Sequence, residues 1–405
     1  MNSTIKRKII NDPVHGFITI QHPLIYKIIS HPYYQRLRRI NQMALAHLVY
    51  PGAIHSRLHH SLGAYHLMGL AINELKSKGA EISNEEEIAA KAAILLHDIG
   101  HGPFSHALEN KLLPNIHHED VGLKIMHLLN DEFNGELDLA IQIFTNQYSK
   151  PFLNQLISGQ LDVDRLDYLT RDSFFTGVSE GVVGYDRIIK MMIVHNDQLM
   201  IEEKGIYSVE KFLIARRQMY WQVYLHKTVL AAEKMLVKII ERVREIYHAG
   251  DTQMLTRTSL DYFLGSFSGE MNQKALEYFC LLDDADIISS IKIWTHHKDF
   301  ILSTLCKKLL NRHLYKCLLQ SHPFDENVID QKQKEVAKKL NLKIENASYF
   351  VFSGDAINTT YKIEDEHILI LFKNGEVKPI SEVENPLIHE TLSTPIKKFY
   401  LCQIT

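Results

Sequence analysis

The sequence predicts a mainly α-helical protein with small β-hairpins and a C-terminal α/β lobe. Apolar residues recur at helical spacing through most of the first 320 residues, whereas short β-branched and aromatic runs separated by polar turns follow. A chain of 405 residues is long enough for one large domain and one smaller domain. We therefore predict a domain over residues 1–320 and a lobe over residues 321–405.

The composition restricts the class of protein. The formal net charge of -3 gives no overall attraction to nucleic acid or to a membrane surface, so any basic site must be local. The first residues contain no apolar run of signal-peptide length, and no stretch approaches the ~20 apolar residues of a membrane span. The four cysteines form no CxxC pair, which fits reduced thiols. We expect a soluble, cytoplasmic protein.

The N-terminal region predicts a turn, a short strand and then helices. Residues 9–20 contain a turn at 11–13 followed by β-prone residues, and helical spacing begins at Pro23. A basic run then includes Arg36, Arg38 and Arg39. This run is either a solvated helix face or an anion site, and the sequence leaves both interpretations open.

Two helices precede a histidine-rich turn. The first begins at about Ser56, and the second runs through IAAKAAILL and ends in the sequence HDIGHG. A further helix is predicted from the sequence IHHEDVG, with His117, His118 and Glu119 in its first turn.

The segment QLDVDRLDYLTRD, residues 160–172, predicts a helix with two different faces. One face is apolar, and on the other Asp164, Tyr168 and Asp172 recur at every fourth residue. Such a helix either lines a pocket or exposes an ordinary solvated face.

The second half of the large domain predicts a hairpin around residues 196–197 and one long helix from about Ser208 to Tyr247. A single stripe of that helix carries Arg216, Tyr220, Tyr224 and Lys227. Cations and tyrosines on one stripe bind phosphates and stack on a base, or they cover a helix interface. In the lobe, one more helix precedes strands predicted at ASYFVFS, HILILF and FYLCQI.

The sequence LLHDIGHGPFSH predicts half of a metal site. His97 and Asp98 are adjacent just before a glycine-rich turn, and imidazole and carboxylate together suit a divalent metal. Two neighbouring residues cannot complete a metal shell. The distant candidates for the remaining ligands are His59 or His60 and one of Asp162, Asp164 and Asp167. Two imidazoles and two carboxylates would leave positions open for water and substrate.

These motifs resemble those of a known family. HSRLHHSLG, LLHDIGHGPFSH, IHHEDVG and LDVDRLDYLTRD are similar, in this order, to the motifs of the HD-domain phosphohydrolases, in particular the branch that hydrolyses deoxynucleoside triphosphates. INDPVHGFITI and YLHKTVLAAEKML extend the likeness, which covers about residues 8–320. The resemblance implies an HD phosphohydrolase domain over residues 1–320, with the helical HD core at roughly 50–175.

The resemblance also implies roles for individual residues. It implies metal ligation by His60, His97, Asp98 and Asp164. It implies catalytic roles for His101, His106, His118 and Glu119, with His106 as the proton donor and Glu119 orienting a histidine. It implies substrate binding by Gln42, Met43, Arg57, Arg165, Tyr168, Asp172, Arg216, Tyr224 and Lys227, and an activating nucleotide at Lys8, Gln35 and Arg38. Glu109 stands where the family has an aspartate of the second cluster.

The expected activity is metal-dependent hydrolysis of a dNTP to a deoxynucleoside and triphosphate. The HD site would hold iron, manganese, zinc or nickel, and magnesium would accompany the substrate phosphates. By resemblance we expect a homo-oligomer, dimer or tetramer, with nucleotide activation, no membrane contact and no requirement for nucleic acid. The alternatives are an HD phosphohydrolase acting on a monophosphate, a cyclic dinucleotide or an alarmone, and a non-catalytic regulator that binds nucleotides or nucleic acid.

Overall fold

The computed structural model describes residues 7–358, 367–383 and 396–405, except for the side chains of His106, Ile357, Asn358 and Ile396. The predicted mainly α-helical class is confirmed, as are the small hairpins and the C-terminal mixture of helix and strands. No helix in the described ranges is long and apolar enough to cross a membrane.

The described chain begins with an antiparallel hairpin. It consists of β1 (Lys8–Asp12) and β2 (Gly16–Ile20), paired from Lys8 opposite Ile20 to Asp12 opposite Gly16. Gly16 has a φ of +75°, a conformation that glycine adopts without a Cβ penalty. Two short helices follow, α1 (Pro23–Ser30) and α2 (Pro32–Gln35), each with proline in its first turn.

Seven helices surround the histidine-rich turn: α3 (Arg57–Ser77), α4 (Asn84–Leu96), α5 (Glu109–Leu112), α6 (His118–Glu132), α7 (Asp138–Phe144), α8 (Pro151–Ser158) and α9 (Val163–Thr176). Helix α3 is buried on most of its circumference, as expected of a helix enclosed by others. Helix α4 begins with a capping box between Ser83 and Glu86. A Cβ on Gly100 would lie 2.0 Å from the carbonyl oxygen of His118, so glycine allows the turn after α4 to approach α6.

The predicted long helix over residues 208–247 is wrong as one continuous element. The structure has α10 (Tyr185–Met191), a hairpin of β3 (Met192–His195) and β4 (Gln198–Glu202), then α11 (Ile206–Met219) and α12 (Lys227–His248). Between α11 and α12 the backbone makes one π-helical turn over Tyr220–Tyr224. Helix α12 then starts anew because the His226 side chain accepts a hydrogen bond from the backbone N–H of Thr228.

The remaining elements are α13 (Gln273–Leu281), α14 (Asp284–Trp294), α15 (Phe300–Leu310), β5 (Lys316–Gln320), α16 (Glu326–Leu340), β6 (Val351–Asn358), β7 (Leu369–Leu371), β8 (Val377–Pro379) and β9 (Ile396–Gln403). The sheets have the strand orders β3-β4-β7-β8 and β5-β9-β6. Both cross the division predicted at residue 320, because β4 pairs with β7 and β5 pairs with β9. The C-terminal lobe is therefore joined to the large domain by backbone hydrogen bonds.

Candidate active site

Three helices bring two imidazoles and a carboxylate to one point. His60 lies on α3, His97 directly follows α4, and Asp164 lies in the first turn of α9. Their ligand atoms all lie within 4.8 Å of one another. The Asp164 Oδ1 atom is 3.0 Å from His60 Nε2 and 3.3 Å from His97 Nε2. This cluster is a candidate metal site.

The two histidine rings are oriented for metal binding. Nδ1 of His97 is 2.6 Å from the carbonyl oxygen of Ile94, and Nδ1 of His60 is 2.7 Å from Asp167 Oδ2. If each Nδ1 donates its proton to that acceptor, each Nε2 presents a lone pair to the cluster, the usual arrangement of metal-binding histidines. Burial lowers the pKa of His60, but hydrogen bonds and charges of Asp164 and Asp167 outweigh it and raise that pKa to about 10. The cluster thus favours a cation and fits a divalent metal.

Asp98, the fourth predicted ligand, lies at the edge of the cluster. Its Oδ1 is 3.4 Å from His97 Nε2, and its Oδ2 is 3.8 Å from His60 Nε2. The same carboxylate accepts a hydrogen bond from Arg57 and lies 3.3 Å from His101 Nε2. Asp98 therefore links the candidate metal site to the neighbouring residues that face the cavity.

The three aspartates of the α9 region have three different roles. Asp162 caps α9, accepting from the backbone N–H of Arg165 at 2.7 Å, and its carboxylate also pairs with the Arg165 side chain. Asp164 belongs to the metal cluster, and Asp167 holds the His60 ring from behind. The sequence left all three aspartates as candidate ligands. They differ in the structure because each points in a different direction around the start of α9.

A second histidine cluster adjoins Asp98. The rings of His101 and His118 are stacked with their centroids 3.9 Å apart. Nδ1 of His118 hydrogen-bonds to Glu109 Oε1 at 2.7 Å, whereas the side chain of Glu119 is 74% exposed and lies 4.0 Å from His118 Nε2. Glu109, and not the predicted Glu119, therefore contacts the ring of His118 directly. The side chain of His106 lies outside the described part of the structure.

These groups open into a cavity of about 620 Å³, within the usual range for a small-molecule site. Eight of the nine predicted substrate-binding residues line it: Gln42, Met43, Arg57, Arg165, Tyr168, Asp172, Arg216 and Tyr224. Among the described residues, the exception in that set is Lys227, which is exposed at the first position of α12 and does not line the cavity. The break between α11 and α12 takes Lys227 off the stripe on which the sequence placed it.

Buried polar atoms in this cavity lack protein partners. Within the described residues, the Nε atoms of Arg165 and Arg216 and the Oε1 atom of Gln42 are buried without a hydrogen bond. The Arg216 side chain makes one long contact, 3.3 Å to Gln160 Oε1. Because buried donors and acceptors are normally satisfied, these atoms indicate a polar, anionic ligand.

The cavity is also lined by a buried carboxylate, Asp172, which lies between two partners. Asp172 Oδ1 lies 2.6 Å from His55 Nε2, and Asp172 Oδ2 accepts from the Tyr224 hydroxyl at 2.6 Å. His55 stacks on Phe175 with ring centroids 4.5 Å apart. The sequence predicted Asp172 and Tyr224 on separate motifs, and the structure brings them into direct contact.

Glu233 on α12 also lines the cavity, and the sequence did not identify it. Burial raises the pKa of its carboxyl to about 7, against a smaller opposite effect of Lys234. Glu233 lies four residues after Val229, which lines the same cavity, and this helical spacing is the sequence feature that could have identified it. The spacing is informative only once the start of α12 at residue 227 is known.

The predicted activator residues make contacts of their own. Lys8 donates to the Tyr26 hydroxyl at 3.1 Å, and Arg38 donates to Gln35 Oε1 at 2.8 Å. In the neighbouring basic run, Arg36 is fully buried and donates to the carbonyl oxygen of Ile99 at 2.8 Å, so it is structural rather than anion-binding.

The fold and site define a class: a helical protein in which His, His and Asp from three helices form a metal-type cluster beside an arginine-lined cavity. Residues 57–172 match the model of the HD domain, and residues 183–348 match the model of the HD associated region. The chain belongs to the HD-domain phosphohydrolase family.

Individual relatives agree with this assignment. A phosphohydrolase from Bacteroides thetaiotaomicron, known from a crystal structure, shares 48% sequence identity with this chain. The two structures superpose with a TM-score of 0.94, over 98% of this chain and 100% of that chain. The protein YwfO of Bacillus subtilis is 33% identical over 93% of this chain and 87% of its own. The human deoxynucleoside triphosphate triphosphohydrolase SAMHD1 is 26% identical over 93% of this chain and 67% of its own.

Proposed function

We propose that this protein is a metal-dependent deoxynucleoside triphosphate triphosphohydrolase, which converts a dNTP and water to a deoxynucleoside and inorganic triphosphate. One observation carries the proposal. A single cavity is lined by Asp164 of the metal cluster, by Arg165 and Arg216, whose Nε atoms lack a partner among the described residues, and by the Asp172–Tyr224 pair. Groups of these three kinds suit the α-phosphate, the outer phosphates and the sugar of a nucleotide, respectively. The dNTPase relatives support the same substrate class.

The side chains of the cavity have distinct tasks in this reaction. Water attacks the α-phosphorus, the bond to the 5′-oxygen breaks, and negative charge develops on the phosphate oxygens and the leaving oxygen. Arg57, Arg165 and Arg216 offset that charge, and their forked donors also fix the orientation of the phosphates. A divalent metal at His60, His97, Asp98 and Asp164 would add positive charge and lower the pKa of the attacking water.

The leaving 5′-oxygen requires a proton. We assign the donation of this proton to His106. His101 and His118, whose rings stack, keep the second cluster aligned, and Glu109 holds the His118 ring. Asp172 and Tyr224 would hold the sugar, with Asp172 near the 3′-hydroxyl, alongside Gln42, Met43 and Tyr168.

The proposal includes the partners implied by resemblance. The HD site takes iron, manganese, zinc or nickel, all of which accept imidazole and carboxylate ligands, and magnesium accompanies the substrate phosphates. The enzyme acts as a homo-oligomer, a dimer or tetramer, and an activating nucleotide contacts Lys8, Gln35 and Arg38. It needs neither a membrane nor nucleic acid.

The test is product analysis on protein purified without chelator. Each of the four dNTPs is incubated with the protein, and products are separated by ion-exchange chromatography, with His97→Ala as the inactive control. Deoxynucleoside and intact triphosphate in equal amounts, with none from the variant, support the proposal. Release of pyrophosphate or single phosphates, or turnover only of monophosphates or cyclic dinucleotides, would replace it with another HD phosphohydrolase activity. Nucleotide binding without any turnover would favour a regulator.

A further inference from the structure

A buried chain of charged groups connects the N-terminal hairpin to the metal ligand His60. Nδ1 of His60 contacts Asp167 Oδ2 at 2.7 Å, and Asp167 accepts from Arg171 through Nε and Nη2, both at 2.9 Å. Arg171 then reaches Asp12 at the end of β1, where Nη1 donates to Oδ2 at 2.8 Å. Asp167 and Arg171 are fully buried, and Asp12 is 7% exposed.

Asp167 is saturated with hydrogen bonds in this arrangement. Its Oδ1 contacts His15 Nε2 at 2.6 Å as well as Arg171, and its Oδ2 contacts His60 as well as Arg171. A carboxylate with four contacts from three side chains has no freedom to rotate away from His60. Its position therefore determines the tautomer and the tilt of the His60 ring.

Asp12 fixes two of those three side chains. Its Oδ1 accepts the backbone N–H groups of Val14 and His15 at 3.0 and 2.8 Å, which shapes the turn that presents His15 to Asp167. The same carboxylate pairs with Arg171 through both of its oxygens. Without Asp12, Arg171 would keep one buried anionic partner, and the turn carrying His15 would lose its internal hydrogen bonds.

The packing of α3 against α9 is shaped around this chain of groups. A Cβ on Gly63, one turn after His60, would lie 1.9 Å from Asp167 Oδ1 and 2.1 Å from Arg171 Nη2. Helix α3 thus leaves at Gly63 the space that the Asp167–Arg171 pair occupies. This close approach is the physical reason for a glycine at the last position of the motif HHSLG.

We propose that Asp12 and Arg171 are positioning residues of the metal centre, which set its affinity for a divalent metal by fixing Asp167 and, through it, the ring of His60. The N-terminal hairpin is in this sense part of the metal site, although it supplies no ligand. The proposal rests on the candidate metal site and not on the identity of the substrate, so its test uses metal binding rather than turnover.

The experiment compares Asp12→Asn with the wild-type protein and with Asp299→Asn. Asp299 is a suitable control because it also pairs with an arginine, Arg242, and caps a helix, but it does not line the cavity. Metal-free protein is titrated with Mn²⁺ in competition with a chelating dye, and visible spectra are recorded with Co²⁺. We expect Asp12→Asn to bind Mn²⁺ about 10- to 100-fold more weakly and to shift the Co²⁺ bands, and Asp299→Asn to do neither.

A double-mutant cycle shows whether Asp12 acts through Asp167. In an Asp167→Asn background the further change Asp12→Asn should have no additional effect on Mn²⁺ affinity, because the connection to His60 is already broken. Affinity losses that multiply, or equal affinities of Asp12→Asn and Asp299→Asn, overturn the proposal. If Asp12→Asn does not fold, Arg171→Lys takes its place in the comparison with Asp299→Asn and in the double-mutant cycle. Lysine keeps the positive charge of Arg171 but lacks the forked donors of the guanidinium.

Discussion

Glu109 and His118 are joined by a 2.7 Å hydrogen bond from the ring Nδ1 to Oε1, and the backbone N–H of His118 donates to the same oxygen at 2.6 Å. The carboxylate thus fixes both the ring and the start of α6. Glu119 immediately follows His118 but points to solvent. The longer side chain of Glu109, relative to the aspartate of the family motif, spans the distance between α5 and α6.

Glu109→Gln should lower kcat about 10- to 100-fold with a much smaller change in KM. Glutamine can still accept a hydrogen bond from His118, but it loses the carboxylate charge that strengthens this bond and fixes the ring within the second cluster. Steady-state kinetics on a dNTP measure the effect. Glu119→Gln is the control and should stay within about twofold of wild type. A larger loss in Glu119→Gln than in Glu109→Gln would return the orienting role to Glu119.

His97→Ala and Asp164→Ala should each remove bound metal and activity together. Each contributes one of the three converging ligand atoms, and a site that lacks one of them binds a divalent metal poorly. Elemental analysis of protein purified without chelator gives the metal content. His127→Ala, an exposed histidine on α6, is the control and should keep full metal content. Full metal content in His97→Ala would place the metal elsewhere.

Arg216→Ala should raise KM for a dNTP about tenfold or more while leaving the metal content unchanged. Its buried Nε has no protein partner among the described residues, so a bound phosphate is the group that would satisfy it. The exposed Arg187 on α10 provides the control, and Arg187→Ala should bind substrate like wild type. An unchanged KM in Arg216→Ala would show that the phosphates lie away from α11.

His97 and Asp98 could be predicted from their adjacency before a glycine-rich turn, whereas His60 and Asp164 are singled out only by the resemblance of their motifs to a known family. The residue types alone could not separate Asp162, Asp164 and Asp167, since all three are acidic and lie within six consecutive positions. Their roles depend on where α9 begins, and that is decided by the Asp162 cap. The contact between Asp12 and Arg171 spans 159 residues and leaves no local pattern.

Two predicted site residues, Lys227 and Glu119, lie apart from the other predicted residues, and both are near helix ends. The helical spacing predicts Lys227 on one stripe with Arg216, but a π-helical turn followed by a new cap at His226 interrupts that stripe. The resemblance implies that Glu119 orients a histidine, but Glu119 directly follows His118, and adjacent residues on a helix point about 100° apart. Glu109, nine residues earlier on the short helix α5, is the residue whose carboxylate contacts the His118 ring.

Glu233→Gln should stabilise the protein increasingly as the pH rises from about 4.5 to 7. The folded-state pKa of about 7 lies above the ordinary value of 4.5, so in this interval the folded state keeps a proton that the unfolded chain releases. Wild-type stability therefore falls with rising pH by up to about 3 kcal/mol from this group, and glutamine removes the effect. Melting temperatures at about pH 5 and pH 8 measure it, with the exposed Glu81→Gln as control. An equal difference between variant and wild type at both pH values would contradict it.

Gly63→Ala and Gly69→Ala, two identical substitutions in α3, should have opposite effects on stability. In the middle of a helix, alanine is intrinsically better than glycine by up to about 1 kcal/mol. At Gly69 the new Cβ would meet Cε of Lys91 at 3.2 Å, and this flexible side chain can move, so we expect Gly69→Ala to be neutral or stabilising.

At Gly63 the same Cβ would lie 1.9 Å from Asp167 Oδ1, and neither Asp167 nor Arg171 can move without breaking a fully buried ion pair. The intrinsic gain is therefore outweighed, and Gly63→Ala should lower the free energy of unfolding by about 3 kcal/mol or more. Denaturant unfolding of the two variants beside wild type measures both effects. Because helix propensity is identical in the two changes, the difference between them isolates the cost of displacing the Asp167–Arg171 pair. A Gly63→Ala variant as stable as Gly69→Ala would mean that this pair is not closely packed against α3.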